Sequence, residues 1–548
     1  MKTLNAAHSL VRQLHNLGIR HVFGFPGEST LPLAVAAHNI ASPCHHLAGC
    51  ERCAGYMADG CARFGDRVTV AYAPGGIGSP HMLPAMSEAY NSSIPIVFIS
   101  ISEPLAQRGR WSTSTFDHRA FDHVCKANIP IHHGSRMADS VRDAIRIAAS
   151  PRTGPTHLEI PYDILTSEIS APSYEEDPCE SLYPRFRLHA SPDCLIRVRD
   201  RILRAEQPVA VLGGGAQLSR VPADLIGEFA RRCELSLVAT LNGKGTYPES
   251  EPASRYLGVA GQKGEVAANR AVRESDLVIL LGTKMGDKSS LDWTLIRNSQ
   301  DVVQVDVDPA EIGRNFRVVE SVLSDIRAFL EDILATLGDA AIPCRKVAVV
   351  AESSGSADTP PLASVMQHLS SRLTSEDMLI ADASQACGWM GSYFRSSLSG
   401  RGTASPRGTG SIGFALPAAL GAWCARPQAR VAAIGGDGGL LLCMHEMEAC
   451  VRLRASLKFF LINNNALGLL DHHLEHLHGV RGVLDQRAPV QWSHVCHAFG
   501  WKYLGLSSAD DLGDVIDRSF ALAGPTLIDM RFEDTMPPDF RNTVNIRK

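Results

Sequence analysis

The residues most suited to chemistry lie near the C-terminus. Ile434-Gly435-Gly436-Asp437-Gly438-Gly439 ends an apolar run and opens a helical stretch; Phe459-Phe460-Leu461-Ile462 then leads into Asn463-Asn464-Asn465. The pattern predicts strand, glycine-rich turn, helix, strand, and an asparagine cluster at the second strand's end. Gly436, Gly438 and Gly439 let backbone N–H groups approach a phosphate, and a helix N-terminus favours negative charge there. Asp437 offers a hard carboxylate oxygen and Asn464 an amide oxygen. Such donors suit Mg²⁺ that also takes diphosphate oxygens. Both residues fall at C-terminal ends of predicted parallel strands, where open α/β sheets place ligands. Either half alone is ordinary, since glycine-rich turns follow strands in many α/β proteins.

Two further segments stand out. Cys50-Glu51-Arg52-Cys53-Ala54-Gly55-Tyr56-Met57-Ala58-Asp59-Gly60-Cys61-Ala62-Arg63 puts a carboxyl group ahead of a small-residue helix. Arg407-Gly408-Thr409-Gly410-Ser411-Ile412-Gly413-Phe414-Ala415-Leu416-Pro417 is a glycine-rich entry to another helix. Read singly, Glu51 caps its helix or pairs with Arg52 or Arg63, and Ile412 is a core residue. Cys50-x-x-Cys53 reads as a redox or zinc half-site, but no second CxxC and no thioredoxin-like context accompany it.

Taken in chain order, these segments resemble the superfamily of thiamin-diphosphate-dependent 2-oxo-acid decarboxylases and acetolactate-synthase-like enzymes. The resemblance spans all three thirds of the chain. Its most specific part is the pairing of Asp437 with Asn464, 27 residues on, which matches the family's GDG-to-NN signature. Val22-Phe23-Gly24-Phe25-Pro26-Gly27-Glu28 and Gly75-Gly76-Ile77-Gly78 fit its first domain. The resemblance implies thiamin diphosphate and Mg²⁺, with Asp437, Asn464 and the Ala466 carbonyl as metal ligands. Glu51 would activate the cofactor: a carboxyl bonded to the aminopyrimidine promotes loss of the thiazolium C2 proton. Ile412 would wedge the cofactor in a bent shape, the Gly410 carbonyl would accept from its 4′-amino group, and Gly78 would line its site. It also implies a homodimer or homotetramer with active sites at the subunit interface.

These residues need rigid elements to position them. Short β-branched runs recur at Val68–Tyr72, Ile96–Ser100, Val209–Leu212, Leu277–Leu281, Val302–Val305, Met378–Ala381, Val431–Ile434, Phe459–Ile462 and Leu527–Met530, each followed by helical spacing. The alternation predicts an α/β protein of three doubly wound parallel-sheet domains. Polar, proline-punctuated stretches at Ala171–Asp193 and about Val350–Pro361 divide it into 1–170, 190–340 and 362–548. These would bind the pyrimidine, form a central domain, and bind diphosphate and Mg²⁺.

Composition excludes other classes. A net charge of −5 without a basic run argues against nucleic acid. The apolar runs are strand-length, too short for a membrane span. No signal-peptide pattern opens the chain, and the 14 dispersed cysteines read as mostly buried thiols of a cytoplasmic protein.

The branch within the superfamily turns on a few positions. Glu28 stands where pyruvate decarboxylases carry a proton-handling acid, and is a candidate proton shuttle. The adjacent His pair of those enzymes is replaced by Ser102-Glu103-Pro104, with Asp117-His118 further on. Leu470 stands where decarboxylases place a catalytic Glu. An apolar residue there tilts the reading toward adding the decarboxylated unit to a second carbonyl compound, with pyruvate a possible donor. Simple decarboxylation to an aldehyde is the alternative; a non-catalytic thiamin-diphosphate-binding protein is the alternative of another class. His472, His473, His476 and His478 read as a solvated helix face that could contact an acceptor. Gly213-Gly214-Gly215 marks a weak dinucleotide signal in the central domain. Gly282-Thr283-Lys284-Met285-Gly286-Asp287-Lys288 replaces the pattern associated with flavin, so the sequence argues against FAD.

Overall fold

The computed structural model of the chain describes residues 4–40, 42–111, 116–170, 176–249, 255–338, 345, 359–397, 402–480, 482–484, 488–508, 510–532 and 535–537. Parts of the two predicted linkers, 171–175 and 350–358, lie outside the described residues.

Continuous burial is the mark of a strand covered on both faces, as parallel sheets are. Ile96–Ser102, Leu277–Leu281 and Leu457–Ile462 are buried along their whole length. They belong to three six-stranded sheets in which every pairing is parallel. The first sheet runs Cys44–Leu47, His21–Gly24, Thr69–Pro74, Ile96–Ser102, Thr156–Pro161, Asn128–Pro130. The second runs Tyr256–Val259, Ser236–Ala239, Pro208–Leu212, Leu277–Leu281, Asp301–Asp306, Glu320–Leu323. The third runs Thr403–Ala404, Met378–Ala381, Val431–Gly436, Leu457–Ile462, Thr526–Met530, Lys502–Leu506.

All nine strand runs read from the sequence are strands here. The shorter ones, such as Cys44–Leu47 and Thr403–Ala404, lack a run long enough to be seen in advance. Counted along the chain, the first and third sheets share one order, 2-1-3-4-6-5, whereas the central sheet has the order 3-2-1-4-5-6. In all three, consecutive connections leave the first strand in opposite directions. That switch opens a crevice at the strand ends. The crevice lies after Gly24 and Pro74 in the first sheet, after Leu212 and Leu281 in the second, and after Ala381 and Gly436 in the third.

Two helices join the first and third sheets. Helix Glu51–Phe64 begins at Cys50, whose Sγ accepts the Cys53 N–H, and carries Glu51 in its first turn and Arg63 in its last. Those charges complement the helix dipole. It packs on helix Ala415–Ala425 at backbone contact. A Cβ on Gly60 would stand 2.0 Å from the Ala418 carbonyl oxygen, and one on Gly421 would stand 1.9 Å from that of Met57. The small residues of both segments therefore serve close approach. One apolar core runs through the contact, including Phe23, Met57, Phe414, Leu416 and Phe459. Among the described residues, no helix is long and apolar enough to cross a membrane.

Gly421→Val places a branched side chain where the Met57 carbonyl stands. It is expected to destabilise the chain by about 1–3 kcal/mol through overpacking, read as a lower thermal unfolding midpoint. Gly286→Ala, whose Cβ would meet no atom within 4 Å, is the control and is expected to leave the midpoint unchanged.

Candidate active site

The third sheet brings Asp437 and Asn464 together by register. Gly436 pairs with Ile462, so Asp437 and Asn464 follow adjoining strand ends, one and two residues past a register pair. Asp437 is buried and opens the short helix Asp437–Leu441, after an extended Gly436. The Asn464 amide is oriented at both ends: its Nδ2 donates to Thr535 Oγ1 at 3.1 Å, and its Oδ1 accepts the Ala466 N–H at 3.2 Å. Asn465 turns the chain in the left-handed region at φ 52°, which Asn tolerates better than most residues. An amide oxygen has two lone pairs, so Asn464 keeps capacity for a second partner.

The loop before helix Ala415–Ala425 is held from two sides. Asp382, buried directly after strand Met378–Ala381, accepts the Gly413 and Phe414 N–H groups at 2.9 and 3.1 Å. Burial pushes its carboxyl pKa up, against the pull of those backbone bonds. Gly439 is needed beside it, because a Cβ there would lie 2.1 Å from Asp382 Oδ2. From the first domain, the buried Glu88 accepts from Gly408 N at 3.0 Å and from Thr409 N at 2.7 Å. Arg63 bridges Glu88 and Asp59. The Asp59 carboxyl is pushed up to about 6 by burial, with Arg63 pulling it down. Gly410 and Gly413 take φ of 74° and 79°, which glycine adopts without strain. Ile412 stands at the tip of the loop, part-exposed at 37%.

Glu51 is buried at 7% exposure. Its carboxylate lies 3.1 Å from His81 Nδ1. Gly78 lies against the same carboxylate: a Cβ there would come within 3.0 Å of Glu51 Oε1. Glu28 is exposed, in a short turn after strand His21–Gly24. Gly27 packs on Pro74, so the Glu28 loop neighbours the Gly75–Gly78 loop. Within one chain, Glu51 thus sits among groups of the first domain. Arg52 and Tyr56, on the other side of its helix, face the third: Arg52 donates to the Leu442 carbonyl at 2.6 Å, and Tyr56 meets Phe414 edge-on at 5.3 Å.

Several expected positions are peripheral to these groups. Leu470 is half-exposed on helix Gly468–His478, which buries none of its residues. The His472 and His476 rings lie 3.9 Å apart along that helix. His118 is buried in the first domain, where Ser100 Oγ lies 3.1 Å from one ring nitrogen and His157 stacks on the ring. In the central sheet, a cavity of about 250 Å³ opens at the switch point, lined by Gly214, Gly215, Gly282, Lys284 and Lys288, with Arg407 reaching in from the third domain.

Sequence reasoning did not pick out Asp382, Glu88 or His81. Asp382 carried a usable signal, as an acidic residue directly after a predicted strand. Glu88 carried none, because the loop it holds lies 320 and 321 residues away.

The residues present fit Mg²⁺ and a diphosphate. A carboxylate and an amide stand at adjoining strand ends, and the space beside them is open: a Cβ on Gly436 or Gly410 would meet no atom within 4 Å. Residues 4–121 match the N-terminal TPP binding domain of thiamine pyrophosphate enzymes, 195–333 the central domain, and 382–530 the C-terminal TPP binding domain. The chain is 28% identical to an acetolactate synthase isozyme 1 large subunit of Escherichia coli, over 99% of this chain and 97% of that one. It is 26% identical to a probable acetolactate synthase large subunit of Methanocaldococcus jannaschii, over 96% and 92%. It is 27% identical to an acetolactate synthase large subunit of Lactococcus lactis, over 94% and 90%.

Removing Glu88 leaves Arg63 with one fewer partner and frees the 408–409 backbone. Glu88→Ala is expected to destabilise the chain by about 3–5 kcal/mol, as broken buried ion pairs do, measured by thermal unfolding. Asp437→Ala is expected to leave that midpoint little changed but to abolish Mg²⁺-dependent retention of thiamin diphosphate on gel filtration.

Proposed function

This chain is a thiamine pyrophosphate enzyme of the acetolactate-synthase-like superfamily, carrying that family's three domains, and from that premise we propose that it decarboxylates a 2-oxo acid, with pyruvate the first candidate, and joins the remaining acyl unit to a second carbonyl compound. The observation that carries the site assignment is the register of Gly436 with Ile462. It supports Asp437, Asn464 and the Ala466 carbonyl as the oxygen donors to Mg²⁺, with Gly436, Gly438 and Gly439 beside the diphosphate. The cofactor, when bound, supplies the electron sink that loss of CO₂ from a 2-oxo acid requires.

The chain's own groups then have separable roles. Glu51, kept out of water beside Gly78 and His81, holds and returns a proton at its carboxylate. Ile412 and the Gly410 carbonyl, on a loop fixed by Asp382 and Glu88, set the orientation of the pyrimidine side. Leu470, half-exposed and peripheral to these groups within one chain, presents hydrocarbon rather than an acid and supplies no proton. That favours capture by a second carbonyl compound over protonation. Glu28 supports the simple-decarboxylase reading, because it is an exposed carboxylate beside the Gly75–Gly78 loop. Neither reaction transfers electrons to an external acceptor, so neither needs a redox cofactor for its chemistry.

A second copy completes this reading. The strand ends and loops described above carry an exposed apolar set, Phe25, Leu47, Ile77, Ile412, Leu442 and Leu470. Apolar surface, where it is contiguous, marks an interaction site. A dimer would cover it and set Glu51 of one copy against the Mg²⁺ ligands of the other.

The test is proton NMR of the protein with pyruvate, Mg²⁺ and thiamin diphosphate, with and without an added aldehyde. Acetolactate or a hydroxyketone is expected, with the rate in Glu51→Gln lower by about 10²–10⁴-fold. Acetaldehyde as sole product would replace this reading with decarboxylation and give Glu28 the proton transfer. Unconsumed pyruvate would reject pyruvate as donor.

A further inference from the structure

The Cys50-x-x-Cys53 pair lacks a second half in the sequence, but the fold provides one. His445 and Glu446, from the start of helix Glu446–Arg452, meet both thiols beside the first turn of helix Glu51–Phe64. The four ligand atoms all lie within 4.8 Å of one another. We infer that Cys50, Cys53, His445 and Glu446 form a zinc site that ties the segment around Glu51 to the third domain.

Three observations carry this. The first is the donor set. Two sulfurs, an imidazole nitrogen and a carboxylate oxygen are the ligands zinc takes in closed tetrahedral sites. The second is spacing. Tetrahedral zinc with bonds of about 2.0–2.3 Å holds neighbouring ligand atoms roughly 3.3–3.8 Å apart. Cys53 Sγ and His445 Nε2 already stand 3.5 Å apart, and no pair among the four ligand atoms exceeds 4.8 Å. The third is an orphaned oxygen. Glu446 Oε1 accepts the Gly49 N–H at 2.7 Å, whereas Oε2 is buried without any hydrogen-bond partner. A buried, unsatisfied carboxylate oxygen is costly, and a cation at this point would satisfy it.

The surrounding loop is shaped for the same convergence. A Cβ on Gly49 would stand 2.4 Å from His445 Cδ2, so glycine is what lets the imidazole reach the thiols. Cys50 is part-exposed and the His445 side chain is 42% exposed, which leaves a path for a metal to enter. A Cys50–Cys53 disulfide would use the thiols but leave Glu446 Oε2 unsatisfied, so a metal accounts for more of the cluster. With four protein ligands the site is closed, and its role is to hold structure rather than to activate water. It is independent of the Mg²⁺ site, whose donors are all oxygen.

The experiment is metal analysis of the untagged, reduced full-length protein after zinc loading and dialysis, followed by replacement of zinc with cobalt(II). One retained zinc ion per chain is expected. Cobalt should give a sulfur-to-metal charge-transfer band in the near ultraviolet and strong visible bands of tetrahedral geometry. Glu446→Gln should weaken zinc binding by at least about tenfold, and Cys50→Ser should remove the charge-transfer band or shift it to lower intensity. His472→Ala with His476→Ala, which removes a neighbouring pair of imidazoles elsewhere in the third domain, should leave the band unchanged. No retained zinc and no charge-transfer band in the reduced wild-type protein would overturn the proposal, and that reading does not depend on any variant folding. So would a band unaffected by Cys50→Ser, or a Cys50–Cys53 disulfide found by mass spectrometry in protein purified without reductant.

Discussion

Arg63 lies in the interior between Asp59 and Glu88, and Glu88 also accepts from the backbone of Gly408 and Thr409. Charges withdrawn from water in this way persist only when each is paired and its remaining lone pairs are occupied. The cluster therefore constrains two domains together. It anchors helix Glu51–Phe64, whose first residue is Glu51, and it anchors the loop that presents Gly410 and Ile412. The helix contact beside it is tight enough that neither Gly60 nor Gly421 has room for a methyl group. Movement of one domain against the other would break both the charge cluster and the apolar core.

The site exploits sheets built on one plan. The first and third sheets share a strand order, so each offers a crevice at its switch point. The two crevices carry different chemistry because different loops follow the strands. The first holds a buried carboxyl, Glu51, against a glycine loop. The third holds a carboxylate and an amide at adjacent strand ends. One sheet could not serve both ends of an extended cofactor. The central sheet has a different order and a cavity at its own switch point, which Arg152 of the first domain and Arg407 of the third also line.

The proposed zinc site would act on the same helix from its other end. Cys50 and Cys53 bracket Glu51, while Asp59 and Arg63 lie two to three turns further on. A metal at the first turn and a charge cluster near the last would fix the helix at both ends against the third domain. The angle at which Glu51 meets its partners would then be set by covalent geometry and electrostatics rather than by packing alone.

What was legible from the sequence was local. Runs such as Leu277–Leu281 and Met378–Ala381 declare themselves as strands, because burial on both faces demands uninterrupted apolar residues. The turn at Gly436–Gly439 and the asparagine cluster at Asn463–Asn465 follow from backbone chemistry within a few residues, which is why the sequence alone offers Asp437 and Asn464 as candidates. Asp382, Glu88 and His81 could not be named, nor could the joining of Cys50 and Cys53 to His445 and Glu446 across 392 residues. Each depends on which surfaces meet when separate domains pack. That is decided by the summed complementarity of helix faces, small residues and buried charges, and no local pattern in the chain encodes it.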